Sequence, residues 1–461
     1  MTGRPKRTPT EPLQGIVPWA LLATLGVLVG ITMPGLGSGA WPFDPPSVDP
    51  RGVLGPLARI ADREWDLGIL RSTAILAGLL VALAAAASWR FRTWPRWAAV
   101  GLAAVVCAML LVPAVLLQVG LRDATAPWYF TNDSTYQIEI AGDLVLDGDN
   151  PYGHDYGDSG LENFYPAADD EEAAFDRAAR HHFAYFPGTA LTAAAWRVLP
   201  RPWDDYRLFV LLATLALLPA ALLFPGPLVV RLAVGSGLAA NPLIVQGAWF
   251  GTADAPALLA LVLSFALVTR GHPVWAGAAL GAALALKQFA LVALPFLAVM
   301  LLVARVPRRT LYQSGAAFAG IFLATVLPFL IADPGALWDD TVAYGADTYR
   351  IVGYGLAALL LNLGAIDDRF GDYPFLPLAL LVWLPITAWL LWSQWRAKTA
   401  WAAAAGFSVS MFVLLFLSRV FQSSYLAWPL TGIGLALLLA SAPGTSPGPS
   451  PSGAAGSEAP E

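Results

Sequence analysis

Long apolar runs constrain this chain more than any other feature of its sequence. A helix needs about 20 apolar residues to cross the hydrocarbon core of a bilayer, and ten runs meet this requirement. They are 17–36, 67–88, 97–120, 206–224, 228–248, 252–269, 311–331, 375–392, 400–417 and 425–441. Only 13% of the 461 residues are charged and 57% are hydrophobic, whereas soluble domains carry about 25% charged residues. The sequence therefore predicts an all-α polytopic membrane protein.

Two further segments leave the number of spans open. The run 274–304 is too long for one helix and is interrupted near Lys287, which predicts two short helices. The shorter run 184–200 either crosses the membrane or lies along its surface. If it crosses, 228–248 must be split at Asn241-Pro242 to keep the basic segments on one side. We therefore expect about 11 to 13 transmembrane helices.

Basic residues predict which side of the membrane each loop faces, because Lys and Arg collect in cytoplasmic loops. The basic clusters are Arg4-Lys6-Arg7, Arg90-Arg92-Arg96, Arg305-Arg308-Arg309 and Arg396-Lys398. If these clusters are cytoplasmic, 37–66, 121–183 and 332–374 are external and both termini are internal.

The chain then divides into five regions. They are a cytoplasmic tail (1–16), N-terminal transmembrane helices (17–120), an acidic external loop with interfacial helices (121–183), a transmembrane core containing a second external loop, 332–374 (184–441), and a C-terminal tail (442–461). The C-terminal tail is rich in Pro, Gly, Ser and Ala, a composition typical of disorder.

Composition also excludes several classes of function. The single cysteine, Cys107, lies inside an apolar run, which excludes a disulfide scaffold and Cys–His metal clusters. The net charge of −5 gives no indication of nucleic-acid binding. We expect no cofactor.

The loop 121–183 differs from the rest of the chain. It carries 14 acidic and three basic residues, and three of the four histidines. Loops longer than about 12–15 residues are usually functional or disordered, and the aromatic residues of this loop argue against disorder. They include Trp128, Tyr129, Phe130, Tyr136, Tyr152, Phe164 and Tyr165.

Asp133 follows closely on an apolar run, so it is expected near the external membrane surface. The pattern over 136–146 favours a short interfacial helix, which ends in the turn-forming stretch 147–153. On this local pattern Asp133 is either a reactive carboxylate or the N-cap of that helix, with Tyr136 as an interface anchor.

His181 and His182 allow two interpretations. With the acidic run 169–172 they would offer ligands to a hard cation, or the segment is a solvated charged surface. We favour the surface, because adjacent residues on a helix point about 100° apart. No metal site is therefore predicted.

Five motifs resemble a known family when taken in order. The stretch Asp133…Tyr136…Gly148-Asp149-Asn150-Pro151-Tyr152 resembles the first external loop of the GT-C superfamily, integral-membrane glycosyltransferases that use polyprenyl-phosphate-linked sugars. The later motifs resemble glycosyltransferase family 87, the polyprenol-phosphate-mannose-dependent mannosyltransferase type. They are Tyr185-Phe186-Pro187, Gln246-Gly247…Asp254, Gly277…Gly281…Leu286-Lys287 and Gln422-Ser423-Ser424-Tyr425-Leu426-Ala427-Trp428-Pro429. The similarity covers about 121–441, and 17–88 looks like an addition. In the motif Gln246-Gly247…Asp254, Gln precedes Gly and the spacing is longer than in the family.

The resemblance implies a GT-C-like core with a large catalytic first external loop. It implies transfer of a sugar, with mannose favoured, from a polyprenyl-phosphate donor to a hydroxyl of a lipid or glycan acceptor. The reaction would take place on the extracytoplasmic face of a bacterial plasma membrane, among membrane lipids, and serve the cell envelope. In this family an acidic residue of the first external loop is the general base, and the resemblance implies that role for Asp133. The resemblance and the charge pattern together give substrate-binding residues, which are Tyr136, Asn150, Tyr152, Gln246, Asp254, Lys287, Arg350, Arg419, Gln422 and Tyr425.

The leaving phosphate requires a cation, and Lys287 is the first candidate. It is one of three lysines and stands alone between apolar runs, and intramembrane charges usually mark functional sites. The alternative is a lysine that snorkels from a helix end. Arg350 and Arg419 are further candidates, since a guanidinium binds phosphate oxygens through two parallel hydrogen bonds. The alternative for each arginine is a solvated residue at the rim of the site.

Two other functions compete with this one. A secondary transporter usually carries inverted repeats and paired broken helices, and the halves of this chain show no convincing repeat. A lipid-linked-sugar flippase or a polymer ligase would share the phosphate-binding cations but would not need Asp133.

Overall fold

The computed structural model describes residues 11–32, 48–52, 55, 67–90, 95–164, 179–348, 350–371 and 373–442. The acidic run 169–172 and nearly all of the C-terminal tail lie outside these ranges, as do most of the N-terminal tail and of 37–66.

The N-terminal helices are α1 (Glu11–Thr32), α2 (Leu67–Arg90) and α3 (Arg96–Asp123). Helices α1 and α2 approach closely through glycines. A Cβ at Gly26 would lie 3.0 Å from a carbonyl oxygen of α2, and one at Gly78 would lie 2.9 Å from a carbonyl oxygen of α1. Small residues of this kind let helix backbones pack closely in membranes.

The predicted external loop and the segment after it contain α4 (Asp133–Asp147), a 3-10 turn (Leu161–Phe164) and α5 (Pro187–Arg197). The predicted short helix is present, but it starts three residues earlier than 136, and its place at the membrane interface stays a prediction. Its N-cap is Asn132, whose side chain accepts a hydrogen bond from Thr135 N at 2.9 Å. The N-cap alternative for Asp133 is therefore wrong, because Asp133 is already the first helical residue. Helix α5 has 11 residues, too few to cross a bilayer.

Five helices form the first part of the core, and the chain is broken at Asn241-Pro242. This split was predicted only for the case that 184–200 crosses the membrane. The five helices are α6 (Tyr206–Leu222), α7 (Leu228–Ala240), α8 (Pro242–Phe250), α9 (Asp254–Thr269) and α10 (Pro273–Leu286). Helices α7 and α8 meet at an angle of 42°. The Asn241 amide serves both helices, since Nδ2 donates to Gly237 O at 2.9 Å and Oδ1 accepts from Ile244 N at 3.2 Å.

The predicted break at Lys287 is confirmed. Helix α10 ends at Leu286, and a 3-10 segment (Gln288–Ala293) leads into α11 (Leu294–Val303). A broken helix inside a membrane must have its released backbone groups satisfied by neighbours. Thr189 on α5 does so here by donating to Leu286 O at 2.7 Å.

The remaining elements run from the long helix α12 to the end of the described chain. They are α12 (Arg308–Ala332), α13 (Pro334–Trp338), a π-helix (Asp339–Thr348), β1 (Val352–Gly353), α14 (Leu356–Asn362), α15 (Phe375–Ala397), α16 (Ala400–Leu417), β2 (Val420–Phe421), a 3-10 turn (Ser423–Leu426) and α17 (Ala427–Ala440). Strands β1 and β2 pair in parallel, with Val352 opposite Val420.

The described residues confirm an all-α polytopic membrane protein. Five helices are long and apolar enough to cross a membrane, or six when the bent pair α7–α8 counts as one span, and shorter apolar helices of 10–17 residues accompany them. The most apolar windows of α12 and α15 are only 11% and 17% buried inside the protein, which leaves their side chains facing lipid. The total of 11 to 13 spans stays a prediction.

Candidate active site

Tyr185 joins two groups of candidate residues. Its hydroxyl forms a hydrogen bond with Ser134 Oγ, next to Asp133. The Lys287 ammonium lies 4.7 Å from the centre of its ring. Tyr152 fixes the backbone at this point, because its hydroxyl donates to Tyr185 O at 2.8 Å. The external loop and the break after α10 therefore meet at one side chain.

Lys287 lies in extended backbone between α10 and the 3-10 segment, and only 10% of its side chain is exposed. Its ammonium is 3.7 Å from Asp254 Oδ1. The ring centres of Phe289 and Tyr425 lie 5.7 and 5.8 Å from it. Aromatic faces attract a cation, and a buried charge requires a partner, so the side chain is held in an aromatic cage with one carboxylate.

Asp254 is the first residue of α9 and is buried. The oxygen that faces Lys287 also accepts a hydrogen bond from Trp428 Nε1 at 2.9 Å. Trp428 is fully buried and meets the edge of Phe289, with ring centres 5.6 Å apart. Asp254 is thus a fixed counter-ion for Lys287.

Asp133 is the first residue of α4, and its side chain is partly exposed. Its Oδ1 accepts a hydrogen bond from Ser134 N at 2.8 Å, and the N-terminus of a helix favours a negative charge. Removal from water raises the pKa of Tyr185 above its ordinary value, and the charges of Asp133 and Asp254 raise it further. The Tyr185 hydroxyl therefore stays protonated at neutral pH, with both carboxylates in its vicinity.

Gly251 sets the position of α4 against the core. It ends α8 with a φ of +84°, a conformation that favours glycine. Thr135 Oγ1 donates a hydrogen bond to Gly251 O, and a Cβ at Gly251 would lie 2.0 Å from that Oγ1. Because Asp254 follows three residues later, this contact fixes Asp133 relative to Asp254.

Arg350 and Arg419 come from two loops that the β1–β2 pair joins. Val352 N donates to Arg419 O at 3.4 Å, and Arg419 is only 4% exposed. The turn after β2 carries Gln422, whose carbonyl accepts from Tyr425 N at 3.1 Å. The Tyr425 ring in turn meets Phe289, with ring centres 5.0 Å apart. The loop of Arg419 therefore borders the Lys287 cage through Tyr425.

Two of the predicted binding residues, Tyr136 and Asn150, form hydrogen bonds within the external loop. Tyr136 donates its hydroxyl to Ser159 O at 2.6 Å. Asn150 Oδ1 accepts from Tyr152 N at 3.1 Å within a turn. Gln246 is half-buried on α8. The contacts of Tyr136 and Asn150 stabilise the external loop itself.

Asp340, which the sequence analysis missed, ties the second external loop to the first. Its side chain is 2% exposed. Oδ2 accepts from Gly153 N at 3.0 Å and from Phe183 N at 3.2 Å, and Oδ1 lies 2.8 Å from His182 Nδ1. Asp340 therefore fixes both the turn at Gly153 and the segment His182-Phe183 that leads into Tyr185.

The two adjacent histidines have separate partners. The ring of His182 stacks on Tyr344, with ring centres 4.6 Å apart, whereas the exposed His181 lies 3.3 Å from Asp155. Among the residues that the structure describes, no group of three or more metal-ligating side chains occurs.

A buried ion network, also missed in the sequence, anchors α4 to the start of α6. Arg122 Nη1 donates to Glu139 Oε1 at 2.9 Å and to Asp205 Oδ2 at 3.1 Å, and Arg207 Nη2 donates to Asp205 at 2.6 Å. Burial alone would raise the pKa of Asp205, but the charges of Arg207 and Arg122 hold it well below its ordinary value. A cavity of about 220 Å³ opens beside this network.

Tyr185 and Trp428 lie within motifs that the sequence analysis used for the family resemblance, yet neither was predicted as a site residue. Position inside a family motif was the available signal for both. The sequence contains no such signal for Asp340 or for the network around Arg122, because the partners of these residues are far away in the sequence.

Comparison with known proteins places the chain in a family. The model of glycosyltransferase family 87 matches residues 183–418, which is about half of the chain. No curated protein matches. Among solved structures, ArnT from Cupriavidus metallidurans bound to undecaprenyl phosphate is similar, with 18% identity and a TM-score of 0.41. The match covers 68% of this chain and 56% of ArnT, so this chain spans little more than half of that protein. The chain belongs to glycosyltransferase family 87.

Proposed function

We propose that this membrane glycosyltransferase moves a sugar, with mannose favoured, from a polyprenyl-phosphate donor to an acceptor hydroxyl. The observation that supports the proposal is the double contact of Tyr185. One side chain connects the segment of Asp133 with the cation Lys287, so a base for the acceptor and a charge for the leaving phosphate are available next to each other.

In the proposed reaction, Asp133 accepts the proton of the acceptor hydroxyl. The oxygen attacks the anomeric carbon of the donor sugar, and the bond between that carbon and the phosphate oxygen breaks. Polyprenyl phosphate leaves with the bonding electrons. A general base must be ionised and within hydrogen-bond reach of the hydroxyl.

Asp133 fits the role of base better than Asp254. The Asp254 carboxylate is buried and already binds Trp428 and Lys287. Asp133 is partly exposed and belongs to the external loop, where an acceptor has access.

Lys287 is proposed to stabilise the leaving phosphate. Electrostatic stabilisation is strongest where water is excluded and the charge is preorganised, and the aromatic cage around Lys287 provides both conditions. Arg419 and Arg350 lie in loops that the β1–β2 pair brings together, and they are proposed to bind the remaining phosphate oxygens.

We further propose that the reaction takes place on the extracytoplasmic face of a bacterial plasma membrane, in building the cell envelope. The basic segments of the sequence would then lie in the cytoplasm. The acceptor would be a membrane lipid or a glycan that reaches the external loop from outside.

A transfer assay with Asp133→Asn tests the role of the base. The full-length protein, polyprenyl-phosphate mannose and a set of lipid and glycan acceptors are combined, and transferred sugar is measured. Loss of the general base is expected to lower kcat by about 100- to 10,000-fold. Asp147→Asn, at the exposed opposite end of the same helix, is the matched control and should keep full activity. Equal rates in the two variants would refute the assignment.

Lys287→Met tests the cation in the same assay. We expect a loss of about 100- to 1000-fold in kcat/KM for the donor. Lys398→Met, which changes an exposed lysine outside the site, serves as the control. An unchanged kcat/KM for the donor in Lys287→Met would remove Lys287 from the site.

A further inference from the structure

Three arginines form a cluster at the end of the helix bundle opposite the candidate active site. Arg96 begins α3, whose other end is Asp123. Arg270 follows the last residue of α9, whose first residue is Asp254. Arg231 lies in the first turn of α7. The electrostatic effects of Arg270 and Arg96 reach Arg231.

Hydrogen bonds bring two of these side chains to the same turn. Arg231 Nη1 donates to Leu222 O at 2.8 Å and to Phe224 O at 3.3 Å. Arg270 Nε donates to Leu223 O at 2.5 Å. Two guanidinium groups thus bind three consecutive carbonyls at the C-terminus of α6. The last carbonyls of a helix have no partner within the helix.

This positive charge is not neutralised by the described residues. The sequence has no Asp or Glu between 67 and 122, between 206 and 253, or between 255 and 332. Within the described ranges, Arg231 Nε is buried and has no hydrogen-bond acceptor. Like charges held together repel each other, so the cluster favours an additional anion.

The surroundings indicate which anion fits. Trp97, next to Arg96, is 78% exposed, and Trp275, five residues after Arg270, is 69% exposed. Exposed tryptophans of this kind lie at the level of lipid headgroups. A guanidinium binds phosphate oxygens with charge-assisted hydrogen bonds, and basic groups at a membrane surface attract anionic lipids.

We propose that Arg96, Arg231 and Arg270 bind the phosphate of an anionic phospholipid in the leaflet opposite the candidate active site. The lipid phosphate would accept hydrogen bonds from the exposed guanidinium groups of Arg96 and Arg270, the charge of Arg231 would attract it, and the flanking tryptophans would contact the acyl chains. This site is independent of the proposed transfer reaction, because none of its residues lies near Tyr185 or Lys287.

The test uses the full-length protein in nanodiscs of phosphatidylcholine, with or without phosphatidylglycerol. Retained lipid is measured by native mass spectrometry, and the melting temperature is measured in each lipid. Phosphatidylglycerol should raise the melting temperature of the wild type and remain bound to it. Arg270→Gln should lower its retention by about tenfold, the loss expected for one charge-assisted hydrogen bond, and Arg231→Gln should also lower it. Arg309→Gln, an exposed arginine at the start of α12, should retain it fully.

Two controls keep the proposal falsifiable. If Arg231 and Arg270 only cap α6, their variants will melt earlier by the same amount in both lipids and retain phosphatidylglycerol like Arg309→Gln, which would overturn the proposal. Arg96→Gln removes charge without touching the cap and should still weaken retention. An equal rise in melting temperature from inorganic phosphate in pure phosphatidylcholine would refute a lipid as the ligand.

Discussion

The Lys287 ammonium faces the ring of Tyr185 at 4.7 Å, while the hydroxyl of the same tyrosine contacts Ser134. Ring and hydroxyl therefore serve different partners and can be separated by substitution. Tyr185→Phe keeps the contact with Lys287 but removes the connection to α4. Tyr185→Leu removes both.

We expect Tyr185→Phe to lower kcat with little change in the KM for the donor, because only the position of Asp133 is affected. Tyr185→Leu should lower kcat and also raise the donor KM, since a cation–π contact in a water-poor site contributes about 2 kcal/mol. Steady-state transfer kinetics with a varied donor measure the difference. Identical kinetic constants for the two variants would contradict the separate roles of ring and hydroxyl.

Asp254→Asn tests the counter-ion. It leaves the Lys287 charge buried without its carboxylate, and removing one partner of a buried ion pair costs about 3–5 kcal/mol. The variant should melt earlier in detergent. The double variant Asp254→Asn, Lys287→Met should recover much of that stability but no transfer activity, because the unpaired charge has gone and so has the cation for the phosphate. Equal destabilisation in the single and double variants would show that the pair contributes little.

Asp340 is a positioning residue by its contacts, since it holds the backbone of Gly153 and Phe183 and the ring of His182. Asp340→Ala should release the second external loop from the first. We expect faster limited proteolysis in the external loops and a lower kcat. Asp340→Asn keeps one acceptor oxygen and should lie between wild type and Asp340→Ala. The exposed Asp339 provides the control through Asp339→Ala, which should behave as wild type in both measurements.

The break at Lys287 could be predicted from the sequence because its cause is local, a lone charge that interrupts an apolar run too long for one span. The proline after Asn241 only disfavours a continuous helix, since α3, α6, α12 and α15 each continue through a proline. The break there was predicted only for the case that 184–200 crosses the membrane. The start of α4 was placed three residues late because the apolar pattern begins only at 136. The cap was misassigned because Asn132 and Asp133 are both good caps. Only the hydrogen bond to Thr135 N identifies Asn132 as the cap.

The candidate site was predictable only where its residues lie in family motifs or are isolated charges in apolar sequence. Asp254, Lys287 and Tyr425 meet this condition, and the structure brings them together. Tyr136 and Tyr152 looked equivalent, but Tyr152 binds the backbone of Tyr185 whereas Tyr136 binds Ser159 O. The pairing of Asp340 with His182, 158 residues apart, depends on how two loops meet above the membrane. No local pattern contains that information.

The lowered pKa of Asp205 predicts that the protein loses stability as the pH falls. Its pKa in the folded protein is held well below its ordinary value by Arg207 and Arg122, whereas an unfolded Asp titrates near pH 3.9, about its unperturbed value. A lowered pKa contributes stability that is fully present above the unfolded pKa and is lost as the pH falls towards the folded pKa. Asp205→Asn should therefore destabilise the protein at neutral pH by about 3–5 kcal/mol, the cost of breaking a buried ion pair. The difference in the free energy of unfolding between the variant and the wild type should become smaller once the pH falls below about 4. Melting curves of the two proteins over this range measure it, with the exposed Asp147→Asn as a control without such a trend. A difference that stays constant down to the lowest pH would mean that the network of Arg122, Asp205 and Arg207 does not stabilise the fold through the Asp205 charge.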